Sequence, residues 1–154
     1  HIGPLIHAGA ADKVRTLIQN AVASGEVVLQ PAHKPQGAAF VLPTLLVKPV
    51  SLPKHEEIFG PVAPLRSFQT EAEALMQAND TPFGLAAYVY SGSARCLARI
   101  TDGLQVGMVA QNSGVLSSEV VPFGGVKQSG YGREGSRHGL AEYMAMKLVN
   151  APAA

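Results

Sequence analysis

Between residues 62 and 112 two patterns alternate, and this alternation constrains the fold more than any other feature of the sequence. The runs VAPLRSF, AAYVYS and GMVAQN have the short apolar character of strands, while residues 70–79 and 93–101 between them read as helices. Thr70 and Glu73 form a capping-box pattern at the first helix, and Asn79 and Gly84 flank its exit. Strands joined through short helices imply right-handed crossovers and parallel pairing. The expected class is α/β, a mostly parallel open sheet with flanking helices.

Upstream, Val14, Leu17, Ile18, Ala21 and Val22 recur at helical spacing between Ala10 and Ser24, and Gly25 supplies a C-terminal stop. EVVLQ reads as a short strand. AFVLPTLLV reads as a longer one interrupted by Pro43, which points to an edge or a bulge. The stretch KPVSLPKHEEIFGP, residues 48–61, is a long loop. After Asn112 glycines at 114, 124, 125, 130, 132, 135 and 139 are threaded among polar residues; a short helix near 136–144 and a last strand around MKLVN close the chain. No repeat and no Gly-, Ser- or Pro-rich linker divides it. In open α/β sheets ligands bind outside the carboxyl ends of strands, where loops 48–61 and 112–135 are expected to emerge.

At 154 residues and 47% hydrophobic, the chain can bury one domain-sized core. Twelve basic and eleven acidic side chains, scattered along the sequence, leave no electrostatic footprint for nucleic acid. No apolar run approaches the ~20 residues of a membrane span, so no membrane partner is expected. The single cysteine, Cys96, rules out an internal disulfide framework and fits a reducing compartment, with cytoplasm as the default. The opening HIGPLIHAGA has no initiator methionine and no signal-peptide character, so the chain is expected to be cut from a longer one.

GYGREG, residues 130–135, matches the glycine spacing of a dinucleotide-binding turn. That mechanism needs a buried strand before the turn and an acidic residue about 20 positions after it for the ribose. GGVKQS precedes it instead, and the chain ends before such a residue can occur. The match does not mark a phosphate loop.

Few side chains have the company that chemistry needs. Cys96 falls in SARCLARI with Leu97 and Ile100 on one apolar helical face, which reads as an inert core thiol. His1, His7, His33, His55 and His138 show no i, i+4 pair and no paired cysteine, so no metal site is expected. Glu56 and Glu57 stand directly before IFGP, which brings carboxylates beside an aromatic and a rigid turn. That is the pattern of a ligand site, with a merely solvated pair as the plainer alternative.

Three segments in register, HEEIFGPVAPL, ANDTPFGLAAYVYS and PFGGVKQSGYGREGS, resemble the aldehyde dehydrogenase superfamily, and the resemblance runs from IGPLI near residue 2 to the last strand. VLSSEVVPFGGVKQSGYGREGSRHGLAEYMAMK is most similar to its succinate-semialdehyde branch. The resemblance implies the C-terminal part of a catalytic domain, with 146–150 as an oligomerisation strand in a dimer or tetramer. In that family a cysteine thiolate attacks the aldehyde, hydride passes to NAD or NADP, and a glutamate activates the water that releases the acid. The counterparts of that cysteine and glutamate precede IGPLI, so no catalytic residue is expected in this chain, and the chain alone is expected to be inactive.

The resemblance also assigns roles to residues that are present. Glu57 matches the glutamate that hydrogen-bonds the nicotinamide ribose, and Phe59 the aromatic beside the nicotinamide. Phe123 matches an aromatic of the aldehyde pocket. Ser117 matches a position where the semialdehyde branch has serine and other branches often have a bulky aromatic; a hydroxyl can donate to a substrate carboxylate, and a phenyl ring cannot. A dehydrogenase of broader or glutarate-semialdehyde specificity, and a binding module without turnover, are the alternatives.

Overall fold

The computed structural model describes residues 2–32, 37–49 and 56–152. These fall into two compact units, His1–Gln69 and Thr70–Ala154.

In the first unit, α1 (Ala8–Ala23) starts at His7, whose Nδ1 accepts from the Ala10 N–H at 3.0 Å. It ends where Gly25 N–H donates to Val22 O and Glu26 N–H to Ala21 O, each at 3.0 Å, which satisfies the last carbonyls. Ala11, Val14, Ile18 and Ala21 are buried against Val41, Leu46 and Val62, with Leu17, Val28 and Ile58 packed at the margin. Val22, expected on this apolar face, is exposed, because the buried stripe runs through Ala21 and the next residue turns away from it.

Strands β1 (Val27–Leu29), β2 (Thr44–Val47) and β3 (Val62–Leu65) form one sheet in the order β1-β2-β3. β1 pairs antiparallel with β2, and β2 pairs parallel with β3, Thr44 opposite Val62. Pro43 precedes β2 and does not interrupt it. The Thr44 hydroxyl fixes this start, donating to Leu42 O and accepting from Gln30 Nε2, both at 2.8 Å. Pro64 lies in β3 at the sheet edge, where its missing N–H costs no ladder bond.

The second unit holds α2 (Glu71–Asn79), β4 (Ala86–Val89), α3 (Ala94–Gly103), β5 (Met108–Gln111) and α4 (Ser136–Ala141). Thr70 and Ser93 cap α2 and α3, their hydroxyls accepting from the N–H of Glu73 at 3.1 Å and of Cys96 at 3.3 Å. β4 and β5 pair in parallel around the α3 crossover, Ala86 opposite Met108. Leu97 carries the buried face of α3, whereas Cys96, expected in the core, is only half-buried. Arg99 forks onto the Glu71 carboxylate at 2.8 and 2.6 Å. Arg99, and after it the Cys96 thiol, hold the Glu71 carboxyl below the ordinary carboxylate range.

The α/β class and the mostly parallel pairing hold, since two of the three strand pairs among the described residues are parallel. Among the described residues the first unit holds the sheet β1-β2-β3 and the second the pair β4-β5. Residues 146–150, expected as a strand, pair with no strand among the described residues, and Met146, Leu148 and Val149 are exposed. A strand has no independent stability without a partner edge. α4 stops at Ala141, short of the expected 144.

Candidate functional site

Parallel strands begin at the same end, so a chain leaving the carboxyl end of one must return to the amino end of the next. Both candidate loops make that return. Pro61 O accepts from Thr44 N–H at 2.9 Å, which puts the end of the first loop at the amino ends of β2 and β3. The second loop leaves β5 at its carboxyl end, where Asn112 N–H donates to Val89 O at 2.8 Å. By Val126 it has reached the amino ends of β4 and β5, where Gly84 O accepts from the N–H groups of Gly107 and Val126, each at 2.9 Å. Both loops thus emerge at carboxyl ends, as expected, while Glu57, Phe59 and Phe123 lie on their returning arms, near the amino ends.

In the first unit, EEIFGP is anchored through alternate residues. Ile58 packs at the margin of the core. Gly60 presses on α1 so closely that a Cβ there would lie 2.7 Å from Val14 Cγ2. The Gly60 and Val62 N–H groups donate back to Ile58 O and Gly60 O at 2.8 Å, which makes the segment a tight double bend. Between these anchors Phe59 is thrown outward, 81% exposed, and Glu57 is exposed beside it. Glu56 faces Lys13 at 3.9 Å, a loose surface pair, whereas the Glu57 carboxylate has no partner among the described residues. A small cavity of about 70 Å³ lies where this segment meets α1, lined by Val14, Leu17, Glu57 and Phe59 among others.

In the second unit, Ser118 Oγ accepts from Val120 N–H at 3.4 Å and Ser118 O from Val121 N–H at 3.2 Å, so Ser118 makes the local turn. Ser117 beside it is exposed, and its hydroxyl has no hydrogen-bond partner among the described residues. Phe123 is tied by a two-bond antiparallel bridge to Glu134, with N–H to O distances of 2.8 and 2.7 Å. Its side chain, 38% exposed, lines a cavity of about 590 Å³ together with Gly125, Arg133, Glu134, Leu140 and Tyr143. Ser117 is not among the residues that line this cavity; Glu57 and Phe59 belong to the first unit, Ser117 and Phe123 to the second.

The glycines of this region serve close packing. A Cβ on Gly107 would lie 2.0 Å from Gly124 O, so these two backbones touch directly. Lys127 Nζ donates to Asn79 O and Thr81 O at 3.0 and 3.1 Å, and Asn79 Nδ2 to Gly103 O at 2.9 Å. ANDTPFG and PFGGVKQSG, distant in sequence, are therefore one hydrogen-bonded knot. GYGREG follows a 3-10 turn, Lys127–Ser129, and no strand, in keeping with its exclusion as a phosphate loop. Neither Lys127 nor Arg133 stood out in the sequence; only their distant carbonyl partners reveal them. Of the five histidines, His1, His33 and His55 lie outside the described residues, as do 50–55 of the first loop.

Residues 1–149 match the aldehyde dehydrogenase family. The chain belongs to that family. It is 46% identical over 150 residues to the mitochondrial succinate-semialdehyde dehydrogenase of Arabidopsis thaliana, covering 96% of this chain and 28% of that protein. It is 45% identical over 150 residues to the glutarate-semialdehyde dehydrogenase of a Pseudomonas putida strain, covering 96% and 31%. The crystal structure of an aldehyde dehydrogenase from Brucella melitensis biovar abortus superposes with a TM-score of 0.83 at 48% identity, over 92% of this chain and 30% of that one. The chain thus spans about three tenths of the length of these aldehyde dehydrogenases.

Proposed function

We propose that this chain is the C-terminal part of the catalytic domain of an NAD- or NADP-dependent dehydrogenase that oxidises succinate semialdehyde, or a similar ω-carboxylated aldehyde, to the acid. The substrate reading is carried by Ser117, an exposed residue whose hydroxyl has no hydrogen-bond partner among the described residues, at the position where the resemblance gives other branches a bulky aromatic. A carboxylate accepts from such a hydroxyl in a charge-assisted bond.

In this reading Glu57 accepts from the hydroxyls of the nicotinamide ribose and Phe59 packs beside the nicotinamide ring. Phe123 forms an apolar wall for the aldehyde carbon chain, and Ser117 donates to the far carboxylate. The bound nicotinamide cofactor supplies the hydride acceptor; the residues named here hold and orient. The nucleophilic cysteine and the general-base glutamate belong to other parts of the enzyme. Residues 146–150 form a strand on assembly into a dimer or tetramer. The compartment reading is a reducing one, cytoplasm by default, although the Arabidopsis relative is named mitochondrial.

In the full-length enzyme, Ser117→Phe tests the carboxylate anchor. Loss of a hydrogen bond to a charged group is worth roughly 1.5–3 kcal/mol, so kcat/KM for succinate semialdehyde should fall about tenfold to a hundredfold relative to butanal. A ratio within about twofold of wild type removes Ser117 from the site and leaves the broader or glutarate-semialdehyde alternative stronger.

A further inference from the structure

Arg133 lies across the loop that carries Phe123. Its Nη1 donates to Gly132 O at 2.6 Å and to Gly125 O at 2.9 Å, joining the two arms of the Phe123–Glu134 bridge. Its stem covers Gly124 so closely that a Cβ there would lie 2.8 Å from Arg133 Cδ. On the other side Gly107 abuts Gly124 O. The peptide after Phe123 is thus held between a guanidinium and a neighbouring backbone.

Without that clamp the position of the ring is weakly determined. A two-bond bridge is marginal by itself, and Gly124 and Gly125 are the residues with the most backbone freedom to lose. The guanidinium fixes two carbonyls from a single nitrogen. Arg133 and Phe123 also line the same cavity.

We propose that Arg133 is the positioning residue that sets Phe123 in the aldehyde pocket, and through it the enzyme's affinity for the aldehyde. This rests on the assignment of Phe123 to that pocket. A residue that acts through a pocket wall changes aldehyde KM and spares the cofactor, whereas one that merely supports the fold changes both or neither.

The test is a double-mutant cycle in the full-length enzyme, with Arg133→Met, Arg133→Lys, Phe123→Ala and the two combinations. Arg133→Met should raise aldehyde KM about tenfold, since small misplacements of binding groups already cost that much, with KM for NAD or NADP unchanged within about twofold. Arg133→Lys keeps donors for the carbonyls but loses the planar fork, and should give an intermediate rise of about threefold. Both effects should shrink below about twofold when Phe123 is already alanine.

Equal effects with and without the Phe123 ring, or a cofactor KM that rises as far as the aldehyde KM, overturn the proposal. If Arg133→Met does not fold, the Arg133→Lys arm decides by the same criteria, and an unaltered aldehyde KM there means a purely structural arginine. Should Phe123→Ala alone leave aldehyde kcat/KM within about twofold of wild type, the pocket assignment itself fails and the proposal falls with it. The two failures are therefore distinguishable.

Discussion

Ile58 and Phe59 are adjacent, comparably apolar, and placed in opposite environments, one packed at the core margin and the other 81% exposed. Gly60 explains the difference: its contact with Val14 brings the backbone against α1, so one neighbour must point in and the next out. This part of the site was legible in the sequence because everything it needs lies within EEIFGP. Arg133 was not legible, because the Gly125 carbonyl that gives it a role is brought to it by a bridge between separate arms of the loop. Cys96 was misplaced for a related reason: helical spacing puts it on the apolar face of α3, but Glu71 and Arg99 claim that edge. At Glu57 the prediction is kinetic. Glu57→Gln in the full-length enzyme should leave thermal stability nearly unchanged, since the side chain is exposed, while slowing hydride transfer by up to about 100-fold through a misplaced nicotinamide. Stopped-flow measurement of the hydride step checks it, and an unchanged rate would remove Glu57 from the cofactor site.

Elements with local stop and start signals were read well, and so were the short apolar strands β1, β3, β4 and β5. Thr70 and Ser93 accept from the N–H groups three residues on, and Gly25 ends α1, all of them short-range effects visible in sequence. The strand expected across Pro43 fails because the Thr44 hydroxyl starts β2 afresh after it. MKLVN has the alternation of a strand and no edge to join among the described residues. In the proposed oligomer a second copy supplies that edge. Leu148→Pro, which removes a ladder donor, should then shift the full-length protein toward a smaller assembly in sedimentation velocity. An unchanged sedimentation coefficient at matched concentration would mean that 146–150 does not carry the interface.

At the scale of the molecule, the α/β class followed from a crossover rule that needs only the order of elements, and β4–α3–β5 obeys it. The candidate residues were legible at motif level, yet the return of each loop toward the amino ends of the strands emerged only from the backbone hydrogen bonds. The central claim is that the enzyme containing this chain takes a carboxylated aldehyde. Steady-state oxidation of succinate semialdehyde and of butanal by the full-length protein, followed as reduced cofactor formed from NAD and from NADP, tests it most directly. With an anchored carboxylate the account predicts kcat/KM at least about tenfold higher for succinate semialdehyde with the preferred cofactor. Equal or higher kcat/KM for butanal, or no turnover of succinate semialdehyde with either cofactor, would contradict it.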